Sequence, residues 1–136
     1  MGYCYRYVTV ETKGGRAETY ALLDNSSPLN AMSDEFARQV KAQHEGSLKV
    51  RGPNGEAIGW RARTPVSFNR TDVKLPEIEF VVVSKRVIED DIILGHAAVE
   101  AVGREKLLSI RYKCDRCREP LDSCEHSRRK VDPILG

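Results

Sequence analysis

The sequence predicts an all-β domain of short strands with one or two short helices, followed by a small cysteine-rich C-terminal tail. Three observations carry that expectation. Residues 5–10, Tyr-Arg-Tyr-Val-Thr-Val, alternate and are rich in aromatic and β-branched side chains, the pattern of a half-buried strand. Asn54-Gly55 lies between two alternating runs, and both residues tolerate the positive φ of a tight hairpin. Composition changes only at Lys113, after which Cys114, Cys117 and Cys124 fall inside eleven residues.

Taken in order, residues 13–16 (Lys-Gly-Gly-Arg) form a turn, and residues 17–23 return as the second arm of a hairpin that ends at Asp24. Ser33 caps a helix over residues 34–41, with Asp34 and Glu35 in its first turn and Lys41 in its last, complementing the helix dipole. Phe36 and Val40, four apart, share the face that anchors it. Residues 47–51 and 56–61 flank Gly52-Pro53-Asn54-Gly55 as a second hairpin. Further strands are expected at 65–68, 76–83 and 92–94. A short helix follows at 96–102, ended by Gly103, and a last strand at 107–112.

At 136 residues and 40% apolar content, the chain suits one domain with a modest core. It contains no run of about 18 apolar residues, so no membrane span is expected. Residues 1–7 lack the basic start and apolar core of a signal peptide, which makes an intracellular setting, cytoplasm or nucleus, the expectation. The net charge is +2, and the tail carries seven basic against four acidic residues between Arg111 and Lys130. That excess is too small to argue nucleic-acid binding from charge alone.

The segment Ala21-Leu22-Leu23-Asp24-Asn25-Ser26-Ser27 delivers an aspartate from an apolar strand into a polar turn. About seventy residues later comes the apolar Ile92-Ile93-Leu94-Gly95. This pair resembles the active-site frame of retropepsin-like aspartic peptidases, and the order of elements over residues 5–112 resembles their plan throughout. Ala31-Met32-Ser33-Asp34-Glu35-Phe36 is similar to the helix start in peptidase domains of gypsy-type and Pao-type retrotransposons.

The resemblance implies a closed barrel or sandwich over residues 1–112. It implies a homodimer in which Asp24 of each chain activates water, with Asn25 and Ser26 in the active-site turn. It further implies a flap at Gly52, Pro53, Asn54 and Gly55, support from Ile93, Leu94 and Gly95, and a polypeptide substrate or peptide ligand. Two carboxylates brought close cannot both ionise, so one acts as base and the other as acid. The family's Asp-Thr-Gly or Asp-Ser-Gly reads Asp24-Asn25-Ser26 here. Asn25 offers a longer, planar amide in place of a hydroxyl, and Ser26 adds a Cβ where the family has none. On its own, Asp-Asn-Ser-Ser-Pro is also ordinary turn chemistry.

In the tail, residues 113–136, Cys114, Cys117, Cys124 and His126 make C-x2-C-x6-C-x-H, a complete tetrahedral set for a structural zinc ion. Clustered cysteines without a secretion signal point to metal before disulfide. The opposing reading is a tail of reduced, idle thiols. Two functions follow. The first is an aspartic endopeptidase of retroelement origin. The second is a catalytically inactive dimerisation or interaction module whose zinc-bound tail contacts a protein or nucleic acid. Elsewhere, His44 reads as a solvent-facing residue at a helix end and His96 as an exposed first-turn histidine. Asp90 and Asp91 read as solvated loop charges, and Trp60 as either a flap residue or a core anchor.

Overall fold

The computed structural model describes residues 4–52 and 55–103. Among these the elements run β1 (Cys4–Glu11), β2 (Arg16–Leu23), β3 (Ala31–Ser33), α1 (Asp34–Gln39), β4 (Ser47–Gly52), β5 (Gly55–Phe68), β6 (Lys74–Val83), β7 (Ile92–Leu94) and α2 (His96–Val102). The expected last strand at 107–112, the tail at 113–136 and the hairpin residues Pro53 and Asn54 lie outside the described residues.

β1 and β2 pair antiparallel from Cys4↔Leu23 to Glu11↔Arg16. In their turn, Thr12 Oγ1 accepts from the N–H groups of Gly14 and Gly15 at 3.1 and 3.2 Å and donates to the Val40 carbonyl. The hairpin end is thereby fastened to the end of α1. The strands then hydrogen-bond in the order β1-β2-β7-β3-β6-β5-β4, and β1 also pairs with β5 through Val8↔Phe68 and Val10↔Val66. That second pairing closes six strands into a barrel, which removes their open edges. β4 stays outside the ring as the outer arm of the β4–β5 hairpin.

Buried side chains lie on both faces of the sheet, because Leu22 is in register with Ile93 and Ile92 and Leu94 therefore face the other way, and α1 adds Phe36 to this core. Tyr5, Leu22, Met32, Phe36, Phe80, Ile92 and Leu94 are the largest fully buried side chains among the described residues. β3, only three residues long and wholly buried, is too short to show a periodicity in sequence, yet it bridges β7 and β6. β5 runs unbroken for 14 residues where the sequence suggested two strands. Pro65 sits where the register with β6 shifts, between Thr64 and Val66. Proline has no N–H for the ladder, so an irregularity accommodates it without ending the strand.

α1 begins as expected. Ser33 Oγ accepts from the Phe36 N–H at 3.2 Å, and Phe36, Ala37 and Val40 are buried. It stops before Lys41, whose φ of 52 leaves the helical region. α2 ends at Gly103, where a φ of 86 suits glycine. Among the described residues no helix is long and apolar enough to cross a membrane.

Candidate active site

Two parallel strands build the site. β2 and β7 run side by side with Leu22↔Ile93 and Leu23↔Leu94 in register, so the residues following each strand, Asp24 and Gly95, emerge together. The Asp24 N–H extends the ladder by donating to the Leu94 carbonyl at 2.9 Å. Ile93 and Leu94 are buried, and Ile93 also pairs with Ala31 of β3. The two sequence segments that carried the resemblance, far apart in the chain, are therefore direct neighbours.

The turn after Asp24 is closed by its own polar groups. The Ser27 N–H donates to the Asp24 carbonyl at 3.1 Å. Asp24 Oδ1 accepts from the Ser26 N–H at 3.0 Å and from the Ser26 hydroxyl at 2.6 Å. Asp24 is fully buried, at 0% exposure, and its Oδ2 has no hydrogen-bond donor among the described residues. One carboxylate oxygen is thus held rigidly while the other lacks the partner that a buried polar atom ordinarily has.

Gly95 has a steric reason to be glycine. A Cβ there would lie 2.5 Å from the Leu29 carbonyl oxygen and 2.6 Å from that of Ser27. Its N–H donates to Asn30 Oδ1 at 2.8 Å, and Asn30 Nδ2 donates to the Glu79 carbonyl at 3.1 Å. The next residue, His96, donates its backbone N–H to the Ser27 carbonyl at 2.8 Å. Its ring Nδ1 lies 2.9 Å from Asn25 Oδ1. The sequence marks Asn30 by no motif and places His96 only at an exposed position in the first turn of a helix. Their partners stand 65 and 71 residues away, so no local pattern reveals them. The one signal available was that His96 directly follows Gly95.

Gly52 and Gly55 face each other at the end of the β4–β5 hairpin, and Gly55 has a φ of 106. On the same hairpin Ile58 is 76% exposed. Further down, the exposed His44 stacks on the half-buried Trp60, with ring centroids 5.0 Å apart and planes at 16°. Trp60 is half-buried and packs against the hydrophobic core, in keeping with the core-anchor reading, while its other face carries His44. The 44–46 segment is tied to β5 by the Glu45 N–H to the Arg61 carbonyl and the Arg61 N–H to the Gly46 carbonyl, each at 2.8 Å.

Asp90 and Asp91 are structural anchors where solvated charges were expected. Asp90 Oδ1 accepts from the Tyr5 hydroxyl at 2.6 Å. Asp91 accepts from Thr19 Oγ1 at 2.6 Å and Lys85 Nζ at 2.9 Å, and its carbonyl accepts from the Ser33 N–H. Burial alone pushes the Asp91 carboxyl up, but the Thr19 and Lys85 hydrogen bonds, the Lys85 charge and Ser33 together hold it below its ordinary value. The proposed zinc ligands Cys114, Cys117, Cys124 and His126 lie outside the described residues. Within those residues no three His, Cys, Asp or Glu side chains group as metal ligands do.

A closed barrel in which parallel strands deliver an aspartate beside an Ile-Leu-Gly segment is a retropepsin-like fold. The chain is similar to the retroviral protease-like domain of Ddi1 from Leishmania major, with 14% identity and a TM-score of 0.52 over 100% of this chain and 96% of that one. It also matches the Simian Foamy Virus (mac) protease at 14% identity and a TM-score of 0.49, over 71% of this chain and 91% of that one. No protein-family model and no curated protein matches the sequence.

Proposed function

We propose that this protein is an aspartic-type endopeptidase of retroelement origin, working as a homodimer in which Asp24 of each chain shares one water. The observation that carries the reading is the Asp24 carboxyl itself, with Oδ1 fixed by Ser26 and Oδ2 buried without a donor. A buried acceptor left unpaired is unfavourable by about 1–3 kcal/mol. A second carboxyl across a two-fold axis, sharing a proton and a water with the first, relieves that penalty and forms a water-activating pair once pairing of two chains opens the turn that encloses Asp24 in one chain. The Gly52 to Gly55 hairpin end serves as the flap over a polypeptide substrate, and Ile58 supplies apolar contact on the same arm.

The water attacks the scissile carbonyl carbon. One carboxylate takes a proton from the water while the other, protonated, donates to the carbonyl oxygen. The carboxyl that now holds the proton gives it to the leaving amine as the C–N bond breaks. The other carboxylate takes a proton from a hydroxyl of the tetrahedral diol, so the acid and amine products form and the pair again holds one proton. Asn25 braces the turn beside Asp24. The test is cleavage of a diverse peptide library between mildly acid and neutral pH, beside an Asp24→Asn variant. The reading requires cleavage that disappears in the variant.

A second reading is a catalytically inactive dimerisation or peptide-binding module. Two observations favour it: Asp24 is fully enclosed within one chain, and the Ser26 hydroxyl occupies Oδ1. In that case the working surface is the tail, with Cys114, Cys117, Cys124 and His126 organised by zinc and contacting protein or nucleic acid. A folded, dimeric protein that cleaves nothing selects this reading.

A further inference from the structure

His96 is an exposed side chain on a closely determined backbone. Its own N–H is bonded to Ser27, the Gly95 N–H is bonded to Asn30, and Gly95 is pressed against the carbonyls of Ser27 and Leu29. The start of α2 therefore cannot move independently of the loop carrying Asp24. From that fixed point the imidazole reaches Asn25, with Nδ1 2.9 Å from Oδ1. Asn25 is covalently next to Asp24 and half-buried.

We propose that His96 is a positioning residue for the Asp24 turn, acting through the Asn25 side-chain amide, an inference that rests on the reading of Asp24 as the reacting group. The two side chains complement each other in either state of the ring. A protonated Nδ1 donates to Asn25 Oδ1; an unprotonated Nδ1 accepts from Asn25 Nδ2 once the amide has turned over. Imidazole is the side chain suited to change charge near neutrality. The charged ring can only donate from Nδ1 to Asn25 Oδ1, whereas the neutral ring keeps that bond as its Nδ1–H tautomer and reverses it, with the amide turned over, only as its Nε2–H tautomer. A serine or threonine in place of Asn25 has no second atom to reverse in this way.

Among the described residues, the charged side chains on the elements around His96 are few. They are Asp24 on the turn, Glu100 one helical turn along α2, and Lys74, Glu77 and Glu79 on β6, against which α2 packs. Glu79 is already engaged by Arg61 and Arg63. Through Asn25, His96 ties the Asp24 turn to α2 as well as to β7.

The experiment follows the Asn25 side-chain amide by NMR through the His96 ring titration in the 15N-labelled full chain. The Asn69 amide, whose oxygen accepts from Thr9, serves as the internal control. The Asn25 resonances are expected to shift with the same midpoint as the ring. In His96→Gln, which keeps a donor and an acceptor, they are expected to remain dispersed but no longer titrate; in His96→Leu they move toward the position of a solvated amide. An Asn25 amide indifferent to the ring's titration, in a protein shown to be folded, overturns the proposal.

Cleavage of a peptide substrate is the second arm. His96→Gln is expected to remove one pH-dependent limb of kcat while leaving KM within about twofold. An unchanged pH profile counts against the positioning role. A chain that cleaves nothing overturns the peptidase reading, and the amide titration still decides the fate of the His96–Asn25 pair.

Discussion

At Gly95 the fold leaves no space for even one carbon, because the backbone of the Asp24 loop lies where a Cβ would project. Gly95→Ala should therefore destabilise the protein by about 1–3 kcal/mol, the usual penalty of overpacking, seen as a lower denaturation midpoint. An unchanged midpoint would mean that the loop yields and the site is softer than drawn. The sequence made Asp24 and Ile92 to Gly95 legible because each carries a local pattern, an apolar strand ending in a turn residue. It did not make Asn30 or His96 legible. Their importance lies in single hydrogen bonds to Gly95 and Asn25, contacts that exist only after the barrel closes. Likewise Ser26, read as a departure from the family's glycine, proves to be the donor that fixes Asp24 Oδ1.

Elements with a strong pattern formed where expected: the β1–β2 hairpin, the Ser33-capped α1, and α2 ending at Gly103. β3 was invisible because three buried residues carry no period, and Pro65 suggested a break that a register shift in β5 absorbs. On the β4–β5 hairpin, Ile58 is so exposed that Ile58→Ser should alter stability by less than about 0.5 kcal/mol. On the peptidase reading the same change raises KM for peptide substrates. A large loss of stability would show instead that Ile58 is buried by something the fold requires.

Asp91 joins β2, β3 and the segment before β7 through Thr19, Ser33 and Lys85. Its carboxyl is held below 3.8, so its stabilising effect is fully present above that pH and is lost as pH falls through the lowered folded value. The difference in denaturation midpoint between wild type and Asp91→Asn should accordingly shrink in strong acid. A difference constant with pH would remove Asp91 from the stabilising set.

For the molecule as a whole, the barrel presents one Asp24 per chain, and the proposed chemistry needs two. If the second comes from another copy, activity and thermal stability should both rise with protein concentration, because association stabilises the folded chain by mass action. The most direct measurement mixes wild-type and Asp24→Asn chains in equal amounts, refolds them together and compares the cleavage rate with wild type alone at the same total concentration. Random pairing leaves about one quarter of the chains' pairs with two aspartates, so about a quarter of the rate is predicted. Retention of half the rate would contradict a site shared between chains, and no cleavage by folded, dimeric wild type would contradict the peptidase itself.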